Sequence, residues 1–124
     1  MFGTVTLNPC IDKTVTVEGF KTGKLNRITS SIQQPAGKGI NASIVYNNLG
    51  GETLCTGINY LSNKNVIEEY LNSKSIPNDF VVFPGELRTN LKVFDTLKGE
   101  VTEINASGYM VPDDYEQKLL HKIA

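Results

Sequence analysis

The sequence predicts a layered α/β fold that carries an inserted, half-exposed β-sheet. Three observations point there. Short apolar strands alternate with amphipathic helices, the order of a sheet covered by helices. Two pairs of alternating polar and apolar strands interrupt that series and suit an open sheet with one wet face. The core series holds only about three strands, fewer than sheets usually have, and its last helix has no later strand to cross back to. The layout is that of the front part of a larger α/β protein.

Each element has its own reason. Phe2 to Leu7 is rich in β-branched residues and stops at Asn8-Pro9, so it reads as a strand closed by a turn. Thr14 to Phe20 alternates Val15 and Val17 with polar neighbours, a half-exposed strand. Thr22-Gly23-Lys24 is a hairpin turn, and Leu25 to Gln33 is its return strand. Pro35-Ala36-Gly37-Lys38-Gly39 reads as a glycine-rich loop. After it Ile40, Ile44, Val45 and Leu49 recur at helical spacing, and Gly50-Gly51 stops that helix. Thr53 to Ile58 is a buried-type strand, Asn65 to Asn72 an amphipathic helix, and Phe80 to Phe83 an apolar strand before Pro84-Gly85. Arg88 to Asp95 and Glu100 to Asn105 form a hairpin around Lys98-Gly99. Pro112 suits the first position of a last helix, with Asp113 and Asp114 at its positive end. Tyr115, Leu119, Leu120 and Ile123 give that helix its apolar face.

Composition narrows the function. Twelve basic and 13 acidic side chains in 124 residues leave a formal charge of −1 with no basic cluster, which argues against nucleic-acid or membrane-surface partners. No apolar run approaches the ~20 residues that span a bilayer, and the first residues do not read as a signal peptide. Cys10 and Cys55 match no metal knuckle and suit small buried groups in a reducing cytosol. His121 reads as a solvated helix residue. No Ser/His/Asp or Cys/His set is present.

Four constellations could carry chemistry. Gly37, Lys38, Gly39 and Asn41 form a loop whose glycines admit close ligand approach and whose following helix offers free N–H groups to an anion or hydroxyl. The loop is neither a Walker A nor a dinucleotide fingerprint, and a turn that merely starts a helix explains the same residues. Asp12 falls just past the carboxyl end of a core strand, where open α/β sheets bind ligands; a turn aspartate is the plainer alternative. Arg88, beside Asn90, brings a guanidinium that suits a phosphate, while a surface ion pair is the more common use of such an arginine. Lys24 carries the same ambiguity. Glu103 and Asn105 share one strand face near Ser107-Gly108, or simply end a polar strand.

Taken in order, TLNPCID, AGKGIN, LRTNLKVFD and VTEINASG resemble the ribokinase-like carbohydrate kinases, in the branch of bacterial phosphofructokinases, with the fructose-1-phosphate kinase type nearest and the tagatose-6-phosphate kinases close by. The resemblance runs over nearly the whole chain. It implies a ribokinase-like layered α/β core, N-terminal part only, with a β-sheet lid formed by strands at about 13–33 and 88–105. It implies transfer of the ATP γ-phosphoryl group, with Mg²⁺, to a hydroxyl of a phosphorylated ketohexose. Fructose 1-phosphate is the first expectation; tagatose 6-phosphate, fructose 6-phosphate or a non-catalytic sugar-phosphate-binding or dimerisation domain are the alternatives. The site residues it implies are Asp12, Lys24, Gly37, Lys38, Gly39, Asn41 and Arg88, with Asn90 and Asn105 as neighbours, and no metal ligand. The family's Gly-Ala-Gly-Asp segment, which supplies the catalytic base, is absent, as is the nucleotide-binding portion. Tyr60-Leu61-Ser62-Asn63 replaces a turn that usually contains glycine, and Leu87 stands where threonine is usual. The expectations are therefore a cytoplasmic fragment that is itself inactive, that self-associates through exposed core surface, and that in the full enzyme forms a homodimer through the lid.

Overall fold

The computed structural model describes residues 2–108 and 112–123. The strands are β1 (Phe2–Thr6), β2 (Cys10–Val17), β3 (Ile28–Ala36), β4 (Thr53–Tyr60), β5 (Asn78–Phe83), β6 (Arg88–Asp95) and β7 (Glu100–Asn105). The helices are α1 (Lys38–Asn48), α2 (Asn65–Ser73) and α3 (Asp113–Ile123). They make two sheets, an all-parallel β1-β4-β5 and a mixed β3-β2-β6-β7. The layered α/β architecture with an inserted sheet is thus the one the sequence predicts.

The parallel sheet is covered on both faces, which is why its central strand reads as a nearly unbroken buried run from Cys55 to Tyr60. On one face the Ser43 hydroxyl of α1 meets the hydroxyls of Thr4 and Thr53. On the other, α3 buries Leu119 and pairs Lys122 with Asp79 at 2.8 Å. The main core joins Ile40 of α1, Ile67 and Leu71 of α2 and Leu119 to Cys55, Ile58, Tyr60, Phe80 and Val81. Both cysteines are free and buried. The helical periodicity overstates burial: Val45 and Leu49 are 58% and 81% exposed, and Leu120 and Ile123 are about half exposed. The rest of each stripe is packed, with Ile40 and Leu119 in the core and Ile44 and Tyr115 against it.

The second sheet fuses the two hairpins through a parallel pairing of β2 with β6, register Cys10↔Arg88 to Val17↔Asp95. That pairing moves two boundaries. β2 starts at Cys10 rather than Thr14, and β3 runs to Ala36 rather than ending at Gln33, because Cys10 and Ile11 pair with Ala36 and Pro35 on one side and with β6 on the other. Pro35 is tolerated since β3 is an edge strand. The expected five-residue loop shrinks to Gly37. A second small core of Val15, Val17 and Val93, with Phe20 and Leu91 against it, holds this sheet. Its far end is tied by one carboxylate: Asp95 accepts backbone N–H bonds from Gly19, Phe20, Leu97 and Lys98 at 2.7–3.2 Å. Those bonds join the turn after β2 to the turn after β6. Near the other end, the Leu87 N–H donates to Asn63 Oδ1 at 2.7 Å and fixes where the chain passes from β5 to β6.

Candidate functional site

β1 delivers the chain from the carboxyl edge of the parallel sheet, through Leu7-Asn8-Pro9, straight into β2. β3 delivers it back, through Gly37 alone, into α1. The end of one sheet, the start of the other and a helix N-terminus therefore meet. Between them lies a cleft of about 430 Å³ lined by Thr6, Asn8, Cys10, Gly37, Gly39 and Arg88, with Lys38 at its rim. Open α/β sheets bind ligands at such carboxyl edges.

The two loop glycines are required by Thr6. A Cβ on Gly37 would stand 2.6 Å from Thr6 Cγ2, and Gly37 has φ 158°, ψ 152°. A Cβ on Gly39 would collide with Thr6 Oγ1 and come within 2.8 Å of the Val5 carbonyl oxygen. Their absence lets the first turn of α1 lie directly on β1. Thr6 itself is 4% exposed, and its Oγ1 is buried with no hydrogen-bond partner among the described residues. A buried orphan hydroxyl costs about 1–3 kcal/mol, and this one borders the cleft.

Arg88 is held in place rather than free. Nε donates to Asn8 Oδ1 at 3.1 Å and Nη2 to the Asn8 carbonyl at 3.3 Å. Nη1 donates to Asn90 Oδ1 at 3.1 Å and to the Ala106 carbonyl at 3.0 Å. All four acceptors are neutral, and no carboxylate pairs with Arg88 among the described residues. The positive charge stays uncompensated, but most of the fork is engaged. The guanidinium acts on an anion chiefly through its charge, with one N–H left over.

The network continues through a thiol. Asn90 Nδ2 donates to Cys10 Sγ at 3.6 Å, and Cys10 Sγ donates to Asp12 Oδ1 at 3.5 Å. Burial pushes the Cys10 thiol up, and the neighbouring Asp12 carboxylate adds to that, both by charge and by accepting its hydrogen, against a smaller opposing pull from Arg88. Cys10 therefore stays protonated as the donor between Asn90 and Asp12.

The structure brings Gly37, Lys38, Gly39 and Arg88 to one cleft, with Asp12 and Asn90 joined to it through Cys10. Asp12 does not sit in a turn past β1 but on β2, opposite Gln34 and Asn90. Asn105 pairs with Asn90 on the outer strand β7 and is exposed. Two residues are not brought in. Asn41 lies on a separate apolar groove with Phe2, Val45 and Tyr46. Lys24 is exposed in the turn beyond Val17, at the end of the sheet opposite Cys10 and Arg88. Thr6, Asn8 and Cys10 also line the cleft; they stand inside the TLNPCID motif but are absent from the site residues that the resemblance implies. The available signal was their place at the carboxyl end of the first core strand.

No family model matches the chain. It is 32% identical over 105 residues to a 1-phosphofructokinase of Rhodobacter capsulatus, covering 85% of this chain and 33% of that protein. It is 33% identical over 115 residues to a 1-phosphofructokinase of Escherichia coli K12, covering 92% of this chain and 36% of that one. A solved structure assigned as a phosphofructokinase of Staphylococcus aureus superposes with a TM-score of 0.90 at 34% identity, over 99% of this chain and 39% of that one. The chain thus spans about a third to two fifths of the length of the proteins it matches. The ribokinase-like layered fold and the likeness to 1-phosphofructokinases, both read from the sequence, are borne out across nearly the whole chain.

Proposed function

We propose that this chain supplies the acceptor-sugar side of a phosphotransferase that moves the ATP γ-phosphoryl group onto a hydroxyl of a phosphorylated ketohexose, fructose 1-phosphate in the first place. The observation that carries this is the convergence of the β1 carboxyl end, the α1 N-terminus and the Arg88–Asn90–Cys10–Asp12 chain on one cleft. The 1-phosphofructokinase relatives support the choice of substrate.

Each residue then has a task. Asp12 accepts sugar hydroxyls. The first turn of α1 offers backbone N–H groups, with the positive helix end and Lys38 beside them. Arg88 attracts the substrate phosphate by its unpaired charge, and Asn90 fixes Arg88. Phosphoryl transfer depends mainly on positioning and charge neutralisation, so such a cradle contributes even without a base of its own. The described residues contain no group of three or more His, Cys, Asp or Glu side chains set to hold a metal ion. In this reading ATP and Mg²⁺ are held by the rest of a longer, cytoplasmic polypeptide. The second sheet serves as the lid over the sugar. Its exposed Ile32 and Val101, which share one face with Phe94, would pair it with the same sheet of a second subunit.

The test is isothermal titration of the chain with fructose 1-phosphate, tagatose 6-phosphate and fructose 6-phosphate, with Asp12→Asn as the site control. Tightest binding of fructose 1-phosphate, lost in Asp12→Asn, is expected. Binding of none of the three would overturn the proposal, and a preference for another sugar phosphate would move the substrate.

A further inference from the structure

Four polar side chains form one row across the second sheet. Gln34 is the register partner of Asp12, Asp12 of Asn90, and Asn90 of Asn105. Register partners point to the same face of a sheet. The adjoining row on that face is Ala36, Cys10 and Arg88, and Cys10 and Arg88 line the cleft. The polar row is therefore the cleft's continuation along the sheet.

Gln34 and Asn105, at the two ends of the row, are the members whose side chains make no hydrogen bond to the described residues, and Gln34 is the one beside Asp12. Asp12 and Asn90 are engaged through Cys10 and Arg88. The Gln34 side chain is exposed on the edge strand and makes no hydrogen bond to the described residues. Its amide carries two donors and an acceptor, so it can meet a hydroxyl in either sense.

We infer that Gln34 is a specificity-determining residue, meeting a hydroxyl at the end of the ligand remote from Arg88. The inference rests on the sugar-phosphate reading. Strands lie about 4.8 Å apart, so β6 and β3 are separated by two spacings, about 10 Å, with Asp12 between them. A six-carbon sugar phosphate anchored near Arg88 spans that distance past Asp12. A three-carbon polyol phosphate stops short of Gln34. Gln34 thus measures ligand length.

Titrate the chain, its Gln34→Ala variant and its Asp12→Asn variant with fructose 1-phosphate and glycerol 3-phosphate. Gln34 is exposed and unbonded, so its truncation leaves the fold intact, which an unchanged urea midpoint checks. Gln34→Ala is expected to weaken fructose 1-phosphate about 3- to 10-fold, the effect of one lost hydrogen bond, and to leave glycerol 3-phosphate unchanged. Fructose 1-phosphate binding that Asp12→Asn abolishes but Gln34→Ala leaves intact would overturn this inference and keep the sugar-phosphate reading. Equal weakening of both ligands would also overturn it. Failure of the unmodified chain to bind fructose 1-phosphate would overturn both.

Discussion

Replacing Gly39 with alanine pits two physical effects of opposite sign against each other. Gly39 is the second residue of α1, and helix propensity alone makes alanine the more stable choice by about 1 kcal/mol. The new Cβ, however, would strike Thr6 Oγ1 and stand 2.8 and 2.9 Å from the Val5 carbonyl oxygen and carbon. Backbone atoms of a paired strand cannot rotate away, so the first turn of α1 must retreat from β1. Overpacking of this kind costs about 2–3 kcal/mol, the upper part of its usual range. The net expectation is a loss of about 1–2 kcal/mol after the propensity gain is subtracted. With a urea slope of about 1–3 kcal/mol per molar for small proteins, the midpoint falls by roughly 1 M. The chain has five tyrosines and no tryptophan, so far-ultraviolet circular dichroism and tyrosine fluorescence are the probes. Gly3→Ala is the matched control, because its Cβ would meet nothing closer than a carbonyl oxygen at 3.9 Å; it should be neutral or slightly stabilising. A Gly39→Ala chain more stable than the parent would refute the steric account of the loop and, with it, the claim that the cleft floor is shaped by Thr6.

Three further outcomes follow from the same structure. Burial alone would raise the Asp95 carboxyl, but four backbone donors, from Gly19, Lys98, Phe20 and Leu97, outweigh it and hold it below 3.8. A lowered carboxylate stabilises the fold above the unfolded pKa and loses that contribution as pH falls through the folded one; acid titration of stability should therefore show a loss below about pH 4 that is missing in Asp95→Asn, which should be the less stable chain at pH 7. Burial, with the Asp12 carboxylate beside it, raises the Cys10 thiol, so it should react with iodoacetamide more slowly at pH 8 in the folded chain than in urea, and a folded-state rate equal to the unfolded one would contradict that burial. Arg88→Lys keeps the charge but gives up the planar fork that reaches Asn8, Asn90 and Ala106, so sugar-phosphate affinity should drop about tenfold in titration, roughly the effect of one misplaced charge-assisted bond.

The legibility of the chain differed by element for definite reasons. β6 and β7 could be read to the residue because Lys98-Gly99 sets a short hairpin whose alternation is local. β2 and β3 shifted by three or four residues because Cys10, Ile11, Pro35 and Ala36 gain their strand partners only from β6 and from each other. Apolar spacing located α1 and α3 correctly but not the exposure of Leu49 or Leu120, since periodicity reports which side is apolar and not whether anything covers it. The glycines and Arg88 announced themselves by residue type. Thr6, Asn8 and Gln34 did not, because hydroxyls and amides are common everywhere and acquire meaning only from what stands opposite them.

The amino-acid order by itself determined the alternation of elements, the motif order that marks the likeness, and the side chains proposed to meet a phosphorylated sugar. These depend on contacts within a few residues or on chemical identity, and both are written along the chain. Tertiary structure decided that β2 and β6 lie side by side, that Asp12 reaches Arg88 through a thiol and an amide, and that Lys24 and Asn41 stand apart from that group. Asp12 and Arg88 are far apart along the chain, and such a pairing is chosen by burial of Val15, Val17 and Val93 across the whole sheet, a collective quantity that no short stretch of sequence contains.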